Sequence, residues 1–206
     1  MPADLHGKVA LVTGVGRVGQ IGHAVARGLG RAGAKLLLAD VNAVGLADRI
    51  KEFGAEGIAA KASAGDLTQP DAARAAAAAA QAQFGGVDIV VNVAGGFFSF
   101  GPFTEVKPEI LDRELNVNFK TAFFMCQAAI PLLLAREYRD ANIRVNAVAP
   151  ATVRTADNVA QMGGGSNDSK TPLVELDEVV NTVLFLVSDE ASAITGQIVP
   201  ITGKAY

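Results

Sequence analysis

The sequence predicts an α/β fold: a doubly wound parallel sheet flanked by helices, as one domain over residues 1–206. Three observations carry this. Short β-type runs alternate with longer helical segments, the pattern of repeated βαβ units. The strand runs are almost continuously apolar, as strands buried on both faces must be. Finally, 206 residues, 50% of them hydrophobic and 19% charged, suffice for one substantial core and argue against disorder.

The elements follow in order. "KVALVTG" is an apolar run ending in glycine, the first strand. "GHAVARGLGRAGA" is a helix, with Ala24, Leu29 and Ala32 expected to face the sheet. "KLLLAD" is a second buried strand, and a helix is expected around Leu46 to Phe53. "GIAAKAS" is a weaker strand. "QPDAARAAAAAAQAQFGG" is an alanine-rich helix with Pro70 in its first turn, thin enough to pack closely on a sheet. "VDIVVNVAGG" is a fourth strand, and Pro108 opens a long helical stretch through "EILDRELNVNFKTAFFMCQAAI", which Pro131 is expected to interrupt. "IRVNAVAP" is a fifth strand, "VELDEVVNTVLFLVSDE" a helix and "GQIVPITG" a last strand, which Pro200 marks as an edge or bulge. "MGGGSNDSK", Met162 to Lys170, is the one stretch expected to be flexible.

Composition excludes several function classes. The net charge of −3 and the lack of a Lys/Arg block leave no footprint for nucleic acid or an anionic membrane surface. No apolar run approaches a membrane span. The lone cysteine, Cys126, forms no internal disulfide, suits a reducing compartment and is expected in the core rather than as a nucleophile. The N-terminus moves straight into a strand without a signal-peptide plan, so a cytoplasmic protein is expected. His6 and His23 stand alone, without metal-ligand spacing.

"VTGVGRVGQIGHAVA" lies between a strand and a helix. Gly14, Gly16 and Gly19 satisfy G-x-G-x-x-G, and Gly22 adds a fourth glycine at the helix start. A pyrophosphate needs backbone N–H groups to approach without intervening Cβ atoms, and the helix N-terminus adds oriented donors. An ordinary tight turn uses the same glycines, but the placement favours dinucleotide binding. Asp40 ends the second strand, where a carboxylate accepts hydrogen bonds from the adenine ribose and repels a 2′-phosphate. Arg17 in the glycine loop pulls the other way. Asp40 weighs more, because its charge sits beside the hydroxyl in question, so NAD is expected over NADP.

With these residues in view, the chain resembles the short-chain dehydrogenase/reductase family over nearly its whole length, and so a Rossmann-type fold. "TGVGRVGQIG" resembles the family's Thr-Gly-rich loop with two extra residues and implies cofactor contacts from Gly14, Gly16, Arg17, Gly19, Ile21 and Gly22. "GDL" is similar to the segment at the adenine, implying Asp66 and Leu67. "NVAGG" resembles the family's Asn-Asn-Ala-Gly, with Val93 replacing one asparagine, and implies Asn92, Ala94 and Gly95. "LNVNFKTAFF" resembles the helix that carries a catalytic-site asparagine, which maps to Asn118. "IRVNAVAPATVRT" is similar to the strand and loop over the nicotinamide, implying Pro150, Val153 and Thr155. On the residues alone, Asn92 and Asn118 could equally satisfy backbone groups, and Asp66 could be a turn or cap residue.

The resemblance implies reversible oxidation of an alcohol or reduction of a carbonyl, with a small-molecule substrate. Family members use a tyrosine to exchange the proton and a lysine four residues on to lower its pKa, with a serine orienting the carbonyl. Positions i and i+4 share one helix face, and a phenol with a pKa of about 10 is a poor base at neutral pH without a nearby cation. This sequence has two tyrosines, Tyr138 and Tyr206. Asn142 follows Tyr138 at the lysine position, Tyr206 is the last residue, and no serine lies between Ser99 and Ser166. Tyr138 is expected only to pack. Against that pattern a βα unit of roughly 30 residues or more is expected to be lacking, and "AAIPLLLAREYRDANIRVNAVAP" reads as a seam at about residues 131–142.

In a parallel sheet each helix returns the chain to the same edge, so the shortened chain can still connect without a knot. Packing is harder to satisfy, because a lost central strand leaves apolar faces exposed. Either "IRVNAVA" shifts to pair beside "DIVVNVA", which is the expectation, or a gap remains in the sheet. Phe97, Phe98, Phe100 and Phe103 could line a substrate pocket, pack the loop or meet another subunit. Family members are commonly dimers or tetramers, which implies a homo-oligomer. NAD binding without efficient hydride transfer is expected. The reading is thus an NAD-dependent short-chain oxidoreductase by resemblance, and the alternatives to it are a non-catalytic NAD-binding protein, a truncated inactive product, or omission of residues from a longer active enzyme.

Overall fold

A computed structural model describes residues 3–99, 101–136, 143–161 and 173–203. Phe100, Tyr138, Asn142, Tyr206 and the glycine-rich Met162–Lys170 stretch lie outside the described residues.

The first half is regular: β1 (Val9–Thr13), α1 (Ile21–Arg31), β2 (Lys35–Asp40), α2 (Ala43–Ala55), β3 (Ala60–Ala64), α3 (Pro70–Phe84) and β4 (Ile89–Val91). The strands are parallel in the order β3-β2-β1-β4. All five residues of β1 are buried, and their alternation feeds two cores. Ala10 and Val12 join Leu36 and Leu38 against Val25, Ala26 and Leu29 of α1 and Leu46 and Phe53 of α2. Leu11 joins Leu37 and Ala39 on the opposite face, against Ala73, Ala76 and Ala80 of α3. Helices on both faces make the sheet doubly wound. In α1 the buried positions are Gly22, His23, Val25, Ala26 and Leu29; Ala24 is only partly buried.

The second half contains α4 (Pro108–Glu114), a π-helical turn at Leu115–Lys120, α5 (Thr121–Arg136), β5 (Ala147–Pro150), α6 (Ala156–Gln161), α7 (Leu176–Val187) and β6 (Ile198–Ile201). Pro131 does not interrupt α5, which runs on to Arg136. A proline removes its own N–H from the ladder and crowds the carbonyl four residues back, but Leu132 and Leu133 beyond it still pack on the alanine-rich face.

The expected pairing of "IRVNAVA" with "DIVVNVA" is not observed. β5 pairs in parallel with β6, with Ala149 opposite Pro200, and with no other described strand, so Pro200 does sit on an edge strand. Side chains before β5 hold it there. Arg144 donates to the carbonyls of Ile194 and Ser188, and Asn146 exchanges hydrogen bonds with the Ile194 carbonyl and the Gln197 N–H. The small sheet joins the main core through Val179 and Val183 of α7, with Val148 and Ile201 packed alongside.

Leu111, Leu115, Phe119, Phe123 and Ile130 are all exposed along α4, the π-helical turn and α5. Cys126 is exposed on the same helix, not in the core as expected; its sulfur accepts a hydrogen bond from Asn92 Nδ2 at 3.3 Å. Among the described residues no helix is long and apolar enough to cross a membrane.

Candidate dinucleotide site

The C-terminal ends of β1 to β4 converge on a cavity of about 650 Å³. Its floor is built where β1 passes into α1. Thr13 is almost fully buried, and its hydroxyl oxygen accepts hydrogen bonds from the N–H groups of Val93 and Ala94, both at 3.0 Å. The loops after β1 and β4 are thereby locked together. Gly14 follows in a left-handed conformation (φ 74°), where a Cβ would lie 2.8 Å from the Ala94 nitrogen. A Cβ on Gly22 would lie 2.1 Å from the Gly14 carbonyl oxygen, so the start of α1 also needs glycine to seat against the loop.

Asp40 sits at the end of β2. One carboxylate oxygen accepts from the Gly16 N–H and the other from the Asn42 N–H, both at 2.8 Å. These bonds aim the carboxylate into the cavity wall beside the glycine loop. Asp66 forms a turn before α3, accepting from the Thr68 N–H at 3.0 Å, while Leu67 is buried beside it. Both line the cavity.

The far wall comes from the loop after β4 and the π-helical turn. Asn118 Oδ1 accepts from the Gly96 N–H at 3.0 Å, and its Nδ2 donates to the Gly96 carbonyl and to Glu114 Oε2, each at 2.8 Å. Glu114 also accepts from the Phe98 N–H at 2.6 Å. A Cβ on Gly95 would meet Asn118 Oδ1 at 2.4 Å, so glycine is needed for this approach. Phe98 enters the lining under the Arg113 guanidinium, whereas Phe97 and Phe103 are exposed.

The start of α1 is open to an anionic group. α1 has no side-chain cap at Gln20 and no acidic residue in its first turn, so its opening N–H groups are available for phosphate. Gln20 Nε2 is buried without a hydrogen-bond partner among the described residues and belongs to the cavity lining.

Of the residues singled out from sequence, Gly14, Arg17, Ile21, Gly22, Asp40, Asp66, Leu67, Asn92, Ala94, Gly95 and Asn118 all line this cavity. Gly16 lines a second cavity of about 410 Å³, which shares Arg17 and Gln20 with the first. Gly19, Pro150, Val153 and Thr155 line neither. Val153 and Thr155 are buried; Val153 joins the core, and the Thr155 hydroxyl oxygen accepts from the Asn158 N–H. The loop after β5 still touches the glycine loop, since the Ala156 N–H donates to the Gly19 carbonyl at 3.0 Å and Arg17 pairs with Asp157.

Sequence reasoning missed Thr13, Gln20, Thr121 and His23. Thr13 was legible as the one polar residue in an apolar strand. Thr121 donates back to the Val117 carbonyl in its own helix and to Ala94, which needs the fold to be seen. His23 is buried rather than isolated. Its Nδ1 accepts from the Gly19 N–H at 3.3 Å and its Nε2 lies 2.9 Å from Glu52 Oε1, which assigns the ring proton to Nε2.

Known families and structures match nearly the whole chain. The family model described as short chain dehydrogenase matches residues 8–137, and the one described as enoyl-(acyl carrier protein) reductase matches residues 132–203. D-threitol dehydrogenase of Mycolicibacterium smegmatis is 28% identical over 244 residues, covering 97% of this chain and 93% of its own. Versicolorin reductase stcU of Emericella nidulans is 31% identical over 265 residues, covering 98% and 97%. The crystal structure of L-sorbose reductase from Gluconobacter frateurii, complexed with NADPH and L-sorbose, superposes with a TM-score of 0.85 at 22% identity, covering 98% of each chain.

Proposed function

Since the chain belongs to the short-chain dehydrogenase family of oxidoreductases, we propose that it binds NAD(H) in the cavity at the strand ends but does not transfer hydride efficiently. The observation that carries the binding half is the convergence of the glycine loop, Asp40, Asp66 and the Asn92–Gly95 loop on one cavity. Gly14, Gly22 and the start of α1 would receive the pyrophosphate, and Asp40 the adenine ribose hydroxyls. Asp66 and Leu67 would flank the adenine, while Asn92, Ala94 and Gly95 would face the second ribose. The bound cofactor would supply hydride exchange with an alcohol or carbonyl carbon.

The second half rests on what the chain offers that exchange. Proton transfer to the substrate oxygen needs a group with a tuned pKa within hydrogen-bond reach. Neither tyrosine has a lysine four positions on. Asn118 remains the candidate catalytic-site residue, but its amide has no titrating proton near neutral pH and is held by Gly96 and Glu114. The alignment with D-threitol dehydrogenase runs over 244 positions, more than the 206 residues of this chain, so that relative carries residues this chain lacks. The two family matches meet within residues 132–137, in keeping with a seam at about 131–142. A truncated, inactive member of the family is the second reading that these two observations favour. A small alcohol or carbonyl substrate, a homo-oligomeric state and a cytoplasmic location are carried over as part of the same proposal.

An NADH fluorescence titration run beside a carbonyl-reduction assay tests both halves. Saturable binding with negligible turnover is expected. Turnover at rates ordinary for enzymes would overturn the catalytic half, and an absence of NADH binding would overturn the cofactor assignment.

A further inference from the structure

Among the described residues Arg17 is the one basic residue in the lining of the larger cavity, and it also lines the smaller one beside Arg49. A cation at this place favours a cofactor with a 2′-phosphate, against the preference expected from Asp40. Arg17 is not free, however. Its Nη2 contacts both carboxylate oxygens of Asp157, 140 residues away at the start of α6. The same two segments are joined by the Ala156-to-Gly19 backbone hydrogen bond, and a Cβ on Gly19 would lie only 3.1 Å from the Ala156 Cβ. Arg49 is ion-paired instead, its Nε 2.6 Å from Glu52 Oε2 but without hydrogen-bond geometry. Both oxygens of Asp40 accept from backbone N–H groups, so Asp157 is the carboxylate that holds Arg17.

We propose that Asp157 is a specificity-determining residue: by holding Arg17 it withholds the guanidinium from a 2′-phosphate, so that discrimination against NADP(H) rests on two carboxylates, Asp40 and Asp157. This rests on the NAD-binding reading above. A 2′-phosphate carries close to two negative charges. To serve it, Arg17 must leave Asp157, and Asp157 then stays nearby as a like charge. The pair is partly exposed, with side chains 63% and 38% accessible, so its contribution to stability is small and removing it should not unfold the protein.

The test is NADH and NADPH fluorescence titration of the wild type, Asp157→Asn, Asp157→Ser and the double variant Asp157→Asn/Arg17→Gln. With Arg17 released, NADPH should bind about fivefold more tightly while NADH changes less than twofold, the scale expected of one surface charge pair. The gain should vanish in the double variant and shrink as salt is raised. An unchanged NADPH-to-NADH ratio in both single variants, with wild-type NADH binding intact, would overturn this proposal alone. Equal weakening of both cofactors would also overturn it, making the pair a brace for the loop. Failure of the wild type to bind either cofactor would overturn the NAD reading and this inference with it.

Discussion

Asn118 and Gly96 exchange two hydrogen bonds: the Gly96 N–H donates to Asn118 Oδ1 at 3.0 Å, and Asn118 Nδ2 donates to the Gly96 carbonyl at 2.8 Å. The π-helical turn at Leu115–Lys120 presents Asn118 at this point, and Glu114 extends the bracket to the Phe98 N–H. One side chain thus fixes the loop that ends β4 against the cavity.

Asn118→Ala should therefore loosen that loop. It leaves one backbone N–H and one carbonyl to water in a partly exposed site, a loss of about 1 kcal/mol. NADH affinity should fall several-fold, read by fluorescence titration, with only a modest drop in Tm. An affinity within error of wild type would show that the bracket does not position the cofactor loop.

Gly14→Ala should be more damaging than Gly57→Ala, although both glycines adopt positive φ, 74° and 75°. At Gly57 nothing lies within 4 Å of the added Cβ, so the cost is conformational, about 1–2 kcal/mol. At Gly14 the Cβ meets the Ala94 backbone at 2.8 Å as well. Urea unfolding of the two variants should rank them in that order, and only Gly14→Ala should abolish NADH binding.

Asp40→Ala should lower the preference for NADH over NADPH by about tenfold, the effect of one charge–charge interaction of ~1.4 kcal/mol. It also removes the acceptor for the Gly16 N–H, so NADH binding itself should weaken. Asp40→Asn removes the charge while keeping an acceptor, and should shift the ratio with less loss of affinity. An unchanged ratio in both variants would mean that the acid does not face the ribose.

The regular half of the molecule was legible because its signals are local. Continuous apolar runs, the alanine spacing of α3 and the glycines after β1 each state what they pack against. The irregular half was not. Pro131 predicts a break by its own chemistry, yet the leucines beyond it pack on α3 and keep α5 helical. The position of β5 depends on Arg144 and Asn146 reaching residues about fifty positions on, which no periodicity encodes. Cys126 lies in an apolar run that reads as core, yet it is exposed, and its contact with Asn92 is seen only in the fold. In the site, Asp40 and the glycines carried their own signal, whereas the Arg17–Asp157 and His23–Glu52 pairs needed the fold.

Acid should weaken the brace between α1 and α2. Arg27 and Arg31 both donate to the Glu56 carboxylate, and the hydrogen bond from Arg27 is the main reason its pKa lies below the ordinary value of 4.5. A carboxylate with a lowered folded pKa stabilises the fold above its unfolded pKa and loses that contribution as pH falls through the folded value. Thermal unfolding of the wild type and Glu56→Gln should differ slightly at neutral pH and converge in acid. A difference that persists unchanged into acid would assign the effect to packing instead.

The central claim is that this chain holds NADH where hydride transfer belongs but cannot complete the proton step. It is tested most directly by mixing the NADH-loaded protein with an excess of carbonyl compounds and following the absorbance of the reduced nicotinamide through a single turnover. The account predicts that bound NADH persists for the length of the experiment. Its rapid first-order oxidation, at a rate near the ordinary enzyme range of about 1–1,000 per second, would contradict it.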